Sequence, residues 1–444
     1  MLSATISLDV MGVAVVNTAL PQIGAEFGME RTVLSWVMTA YAVAFAGLLL
    51  LGGRAADVLG RRRMFIAGVA LYGLASVAAA VTPTAALLLL ARLLQGAGAA
   101  LSGPAALALI PEVFTDDRER TRAMGVYAAV GATSFAGGLA LGGVLTDLAG
   151  WRVVFAVLAP IAVLVVAVAP RLLPAATTKA RRANLDLPGA VLVSTGLVLL
   201  VFGVSQAEHA GVTAPLFVLP VLAGLALLGG FVWHERTAAQ PLLPLSLLSG
   251  APVKAATYAG VAFFTSVNGL LFLASLYMQD VLGYSPLTAG LAILPMGIVV
   301  TFSAQVAARL LPRTGSRPLL AGGLTLIAAG IGAWLGIGTD SDYYSGLLPG
   351  IVVMSVGQGL AFPAMTTAAL TGVPTSRHGV ASAVNITAQQ VGSSLGVTVI
   401  ASIAAAATTT GLDGQLAGYH AGIIAAGTVG LLGAAAAAII LRRR

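Results

Sequence analysis

The stretch Ala42–Arg63 reads A-V-A-F-A-G-L-L-L-L-G-G-R-A-A-D-V-L-G-R-R-R. A long apolar run stops in Arg54, Asp57, Arg61, Arg62 and Arg63. A helix needs about twenty residues to cross roughly 30 Å of hydrocarbon, and the run that starts near residue 34 has that length. Its charged end belongs at a membrane surface. The same pattern recurs along the chain. Of 444 residues, 58% are hydrophobic and only 9% charged, against roughly 25% charged in soluble domains. A water-exposed surface is therefore excluded. Backbone groups find no water partner in hydrocarbon, so the spans should be helices. Glycine is abundant, at 54 residues; between membrane helices small residues permit close backbone approach. No cysteine is present, which excludes disulfides and thiol chemistry.

Apolar runs fall near 4–24, 34–53, 64–82, 85–109, 123–147, 152–170, 187–206, 214–233, 256–279, 286–310, 318–338, 344–370, 379–407 and 419–441. The spacing thus predicts an all-α integral membrane protein of fourteen spans. The first run has full span length and no basic leader, so it reads as a span and not as a cleaved signal peptide. The chain's 23 Lys and Arg residues test the count. Arg54 and Arg61–Arg63 follow span 2, Arg118, Arg120 and Arg122 follow span 4, and Arg171, Lys179, Arg181 and Arg182 follow span 6. Arg236, Lys254, Arg309, Arg313, Arg317, Arg377 and Arg442–Arg444 fall on the same side. Arg31 and Arg152 fall opposite, and Arg92 lies inside span 4. Positive loops stay cytoplasmic, so both termini are expected inside. The distribution accounts for the net charge of +7 without a nucleic-acid partner; the bilayer is the expected partner.

The fourteen spans repeat. Arg54, Gly60 and Arg62 recur as Arg309, Gly315 and Arg317; Gly98 and Pro104 as Gly357 and Pro363; Gly125, Gly138 and Gly142 as Gly379, Gly392 and Gly396. Three matches in one order, at nearly one offset, give two copies of a six-helix unit. The expected domains are an N-terminal bundle over 1–171, linkers with two inserted helices over 172–250, and a C-terminal bundle over 251–444. Transporters are often built from such repeats, with the substrate site at the repeat interface.

The segment Gly53–Arg63 resembles the loop 2–3 signature of the major facilitator superfamily. Arg92 with Gln95, Gly96 and Gly98 resembles its span-4 motif. The six, two and six layout is similar to its fourteen-span drug:proton antiporter branch. So are Asn17-Thr18-Ala19-Leu20-Pro21, the Gln279–Pro286 stretch and Gly379–Gly396. The resemblance implies a proton-coupled carrier, with Arg92 in coupling or site arrangement and Asp57, Arg61 and Arg62 in a cytoplasmic gate. Two positions depart from the branch. Gly12 stands where it carries an acid, with Asp9 one turn earlier, and Leu139 stands where the span-5 motif carries proline.

Each candidate has a structural alternative. Asp9 is a carboxylate inside a span, a functional-site hypothesis by default, or a shallow group near the headgroups. Arg92, the intramembrane guanidinium, serves coupling or clasps helices. The cluster of Asp57 with its arginines is a charge network that holds one facing state, a positive-inside anchor, or both. Asn17, Gln95, Asn268, Gln305, Gln358, Asn385, Gln389 and Gln390 line a substrate cavity or hydrogen-bond neighbouring helices. Trp36, Tyr41, Phe263, Phe264 and Phe302 contact a lipophilic substrate, or lipid and packing.

His209, His234, His378 and His420 lack metal-ligand spacing, and no phosphate loop or nucleotide-binding domain is evident. No enzyme activity, cofactor or metal is therefore expected. The leading expectation is a monomeric multi-pass carrier in the cell membrane. It exports small amphipathic or lipophilic compounds, drugs and antibiotics among them, in exchange for protons. An uptake symporter or uncoupled facilitator is the first rival. A membrane sensor or scaffold on the same fold is the second.

Overall fold

The computed structural model describes residues 1–29, 34, 36–174, 186–211, 213–238, 241–243, 245–284 and 286–441. Arg31, Lys179, Arg181, Arg182 and Arg442–Arg444, used above for the topology, lie outside them. The described residues form helices and no strand. In chain order these are α1 (Ser3–Phe27), α2 (Trp36–Leu59), α3 (Arg61–Ala80), α4 (Ala85–Val113), α5 (Asp117–Ala149) and α6 (Trp151–Leu172). Next come α7 (Leu187–Ala210), α8 (Pro215–Thr237), α9 (Ala251–Leu276), α10 (Pro286–Thr314) and α11 (Ser316–Gly332). Last are α12 (Leu348–Leu370), α13 (His378–Ala407) and α14 (Leu412–Ile440).

Among the described residues, 11 helices are long and apolar enough to cross a membrane, and 12 when the bent α1 is one span. Their outer faces agree with a hydrocarbon surround. On α8, Leu216, Leu219, Leu222 and Trp233 are all exposed. A helix that is apolar all round is stable when lipid or protein covers every face. The chain is a multi-pass membrane protein.

Sequence signals explain the breaks. Gly60 ends α2 and opens α3 at φ 101°, and Gly315 does the same between α10 and α11 at φ 73°. A side chain is strained at such positive φ, so the paired glycines mark equivalent tight turns. Pro21 removes one helical N–H and its ring presses on the carbonyl four residues earlier, that of residue 17. Around that residue α1 bends by 56° between Ser3–Val16 and Thr18–Phe27.

The Cα trace groups into two compact units. The first comprises Met1–Thr115, Gly137–Ser249 and Val373–Thr387. In it α3 crosses α4 where Gly68 faces Gly98; a Cβ on either would lie 2.6–2.7 Å from the other's carbonyl oxygen. Helix α7 packs on α2 through Val43, Ala46 and Val201, and Trp36 stacks on Phe202. The second unit comprises Asp116–Ala136, Gly250–Gly372 and Ala388–Arg444. Here α11 crosses α12 with Gly323 against Gly357, at 2.5–2.7 Å on the same measure. Its core holds Leu324, Ile327, Ile331, Trp334, Met354 and Met365. Each unit thus holds one crossing of this kind, with glycine carbonyl against glycine on both helices.

Candidate functional site

Among the described residues, the charged candidates fall into three polar features, all in the first unit. The first sits at the α2–α3 turn. Asp57, on the last turn of α2, is almost fully buried. Its Oδ1 accepts the backbone N–H of Gly379 at 2.9 Å, and its Oδ2 accepts that of Val380 at 3.0 Å. These amides belong to the first turn of α13. A helix N-terminus carries unsatisfied N–H groups and partial positive charge, so the carboxylate caps it. Arg61 stands beside Asp57 at 3.2 Å and reaches Glu112 of α4 at 2.6 Å. It also donates to the carbonyls of Ala108 and Thr375. Charge-assisted bonds of this kind are the strong ones. Arg62 turns outward and donates to the Pro170 carbonyl at 2.7 Å. The sequence grouped Asp57, Arg61 and Arg62; the structure joins the first two and leaves Arg62 as a tie to α6.

The second constellation centres on Arg92, which is wholly buried. Its Nε donates to the Val37 carbonyl at 2.8 Å and its Nη1 to Gln95 Oε1 at 2.9 Å. The guanidinium lies over the Tyr41 ring, 4.7 Å from its centre. Its Nη2 has no hydrogen-bond partner, nor has the Tyr41 hydroxyl. Gln95 passes the network on to Ser76 Oγ at 2.8 Å. Gln95 is thereby engaged inside the helix packing.

Asp9 is the third feature. It is half-buried, and among the described residues neither a hydrogen bond nor an ion pair reaches its carboxylate. Oδ2 faces Gly103 of α4, 3.8 Å from where a Cβ would stand, and Ile386 approaches the same point at 3.8 Å. Asp9 and Arg92 do not pair. Tyr41 and Tyr72 are each within electrostatic range of both.

The amide candidates divide. The Asn17 side chain lies outside the described residues. Asn268 donates to Ser393 at 2.6 Å. Gln305 is exposed on α10. Gln358 and Asn385 are buried, and among the described residues Gln358 Nε2 and both Asn385 amide atoms find no partner. Gln389 is buried beside Gly260 and Met365, and Gln390 is half-buried. Buried polar atoms without partners are rare enough to need a water or a ligand, so Gln358 and Asn385 stand out. In the second unit Phe263 and Phe264 meet Phe362, with ring centres 6.2–6.3 Å apart, whereas Phe302 is exposed.

The sequence reading missed Glu112, Tyr72, Ser76, Phe362 and the first-turn amides of α13. Glu112 carried a signal, being one of only 16 acidic residues and ending span 4. Backbone amides carry none. Among the described residues no group of three or more His, Asp or Glu could hold a metal.

These features can be set beside known proteins. The model of the Major Facilitator Superfamily matches residues 2–397. The puromycin resistance protein pur8 of Streptomyces alboniger is 40% identical over 98% of this chain and 89% of that protein. The cephamycin export protein CmcT of Amycolatopsis lactamdurans is 36% identical over 93% and 85%. Among solved structures, the human organic anion transporter MFSD10 superposes with a TM-score of 0.70, covering 98% of this chain and 97% of that one. At 16% identity that likeness speaks for the fold alone.

Proposed function

The chain belongs to the Major Facilitator Superfamily, and from that premise we propose that it exports small amphipathic or lipophilic compounds, antibiotics among them, in exchange for protons. The observation that carries the reading is near-full-length similarity to a puromycin resistance protein and a cephamycin export protein. The side bias of the basic residues supports fourteen spans with both termini in the cytoplasm. The paired glycine crossings support two repeated six-helix halves, 1–171 and 251–444, flanking inserted helices in 172–250. One chain holds both halves, so a monomer in the cell membrane suffices.

The mechanism is alternating access. Asp57, Arg61 and Glu112 close the cytoplasmic end by gripping the start of α13. Asn385 of the first unit, and Gln358 and Gln389 of the second, are each candidates for polar contacts to a substrate, and Phe263, Phe264 and Phe362 of the second for apolar ones. Asp9 takes a proton from outside and releases it inside, resetting the carrier. Purified protein in proteoliposomes, with tritiated puromycin and an imposed pH gradient, tests this. We expect uphill puromycin movement that stops when nigericin collapses the gradient, and Asp9→Asn to lose the gradient dependence. An uncoupled facilitator is the second reading, favoured by Gly12 and Leu139 in place of an acid and a proline. Puromycin flux indifferent to the gradient would select it.

A further inference from the structure

We propose that the first arm of α1 is a lever carrying Asp9, hinged at residue 17 and latched to α3 by the hydroxyl of Tyr72. The proposal rests on the coupling role given to Asp9 above and adds how that residue is held and moved.

The two arms of α1 are secured differently. On the arm after the 56° bend, the Glu26 carboxylate takes both terminal nitrogens of Arg152 at 2.7 Å each. It also accepts the Trp151 indole N–H at 2.7 Å. Arg152 donates further to the Thr82 carbonyl, and Gln22 to that of Thr146. A bidentate fork of this kind fixes orientation as well as distance. This arm is therefore anchored to α5, α6 and the α3–α4 turn at once.

The arm before the bend packs on small surfaces. Met11 and Ala14 rest on Gly138, and Val15 rests on Gly142. Across from them, Tyr72 Oη donates to the Leu8 carbonyl at 2.7 Å. That carbonyl already belongs to the helical ladder; its second lone pair takes the phenol. The approach needs Gly12, because a Cβ there would overlap the Tyr72 hydroxyl. Leu8 and Asp9 share a peptide bond, so the latch closes next to the carboxylate.

The latch also reaches Arg92. From Arg92 the bonds run to Gln95, from Gln95 to Ser76, and from Ser76 Oγ to the Tyr72 carbonyl at 2.8 Å. Tyr72 then grips α1. Asp9 and Arg92 do not touch, yet one continuous series of hydrogen bonds ends beside each. Moving the lever breaks its last link and leaves the anchored arm in place, which makes Tyr72 a positioning residue for Asp9.

The natural absence of cysteine provides the test. A single thiol at Asp9→Cys is labelled with a maleimide, with and without Tyr72→Phe. The phenyl ring keeps the packing and loses only the bond. Loss of one hydrogen bond shifts an opening equilibrium by about fivefold, so labelling should quicken by about that factor. A separate thiol at Leu324→Cys, fully buried in the other unit, must stay protected, which excludes general unfolding. An unchanged labelling rate overturns the lever. If Tyr72→Phe fails to fold, Gly12→Ala displaces the hydroxyl with Tyr72 in place and faces the same two outcomes. The readout is independent of transport: labelling that quickens in a protein that moves no puromycin keeps the lever and discards the exporter.

Discussion

Replacing Asp57 by asparagine tests the latch at the α2–α3 turn. The carboxylate holds two α13 amides at 2.9 and 3.0 Å and lies 3.2 Å from Arg61. Asparagine keeps the shape and one carbonyl oxygen. It loses the charge that strengthens both amide bonds, the interaction with the helix terminus, and half of what neutralises Arg61. Hydrogen bonds to a charged group contribute about 1.5–3 kcal/mol each against about 1 for neutral ones, and a helix terminus adds about 0.3–1. Arg61 keeps Glu112 and two carbonyls, which offsets part of the loss. We expect a net shift of about 2–3 kcal/mol away from the latched arrangement, or about 30- to 150-fold in population. Nitroxides at Leu59→Cys and Ser376→Cys, both exposed, report the α2–α13 separation by pulsed electron resonance. The parent should show one short distance and Asp57→Asn a second, longer population. Identical distance distributions in the two proteins would refute the latch.

Three further outcomes follow from other contacts. Arg92→Lys cannot reproduce the Nε–Val37 and Nη1–Gln95 bonds together with the stack on Tyr41. It should lower thermal stability by about 2–4 kcal/mol in a melt of the detergent-solubilised protein. Gly98→Ala and Gly357→Ala each drive a methyl against a backbone carbonyl, so each should cost at least about 1–3 kcal/mol; equal yield and melting temperature to the parent would contradict the crossings. Before α7, burial works against ionisation of Asp186, but His234 at 2.8 Å and the amides of Gly189 and Leu242 outweigh it, holding its carboxyl below the usual value. A depressed carboxyl stabilises the fold above its unfolded value and loses that contribution as pH falls through its folded one. Melting temperature should therefore drop on acidification, and less so in Asp186→Asn.

Hydropathy and charge carried the helical membrane class and the order of helices, because each span must by itself cover about 30 Å of hydrocarbon. The close helix crossings were legible for a similar reason. Gly98 and Gly357 are forced by backbone contact, and such contact leaves a mark on residue identity. The site was legible only where chemistry is unusual for its setting. Asp57, Arg61 and Arg92 are charges in or beside apolar helices, and all three sit in bonded networks. The Asn and Gln side chains gave no such discrimination, since one amide can hydrogen-bond a neighbour, as Asn268 does, and another be buried unpartnered, as Asn385 is. Pairing was the least legible. Nothing in the sequence tells that Asp9 and Arg92 stay unpaired, with Tyr41 and Tyr72 each in electrostatic range of both. Tyrosine among apolar residues reads as packing until its hydroxyl finds a carbonyl.

The capping of α13 by Asp57 is lopsided in what mutation can do to it. On one side of the bond stands a single side chain, which any substitution alters. On the other stand two peptide N–H groups: that of Val380 could come from any residue except proline, whereas a Cβ on Gly379 would press on the Gly53 carbonyl and the Asp57 carboxyl. The grip can therefore be lost from α2 by any change at Asp57 and from α13 by a side chain at Gly379, while the neighbouring positions of that turn bear on it only through their backbone.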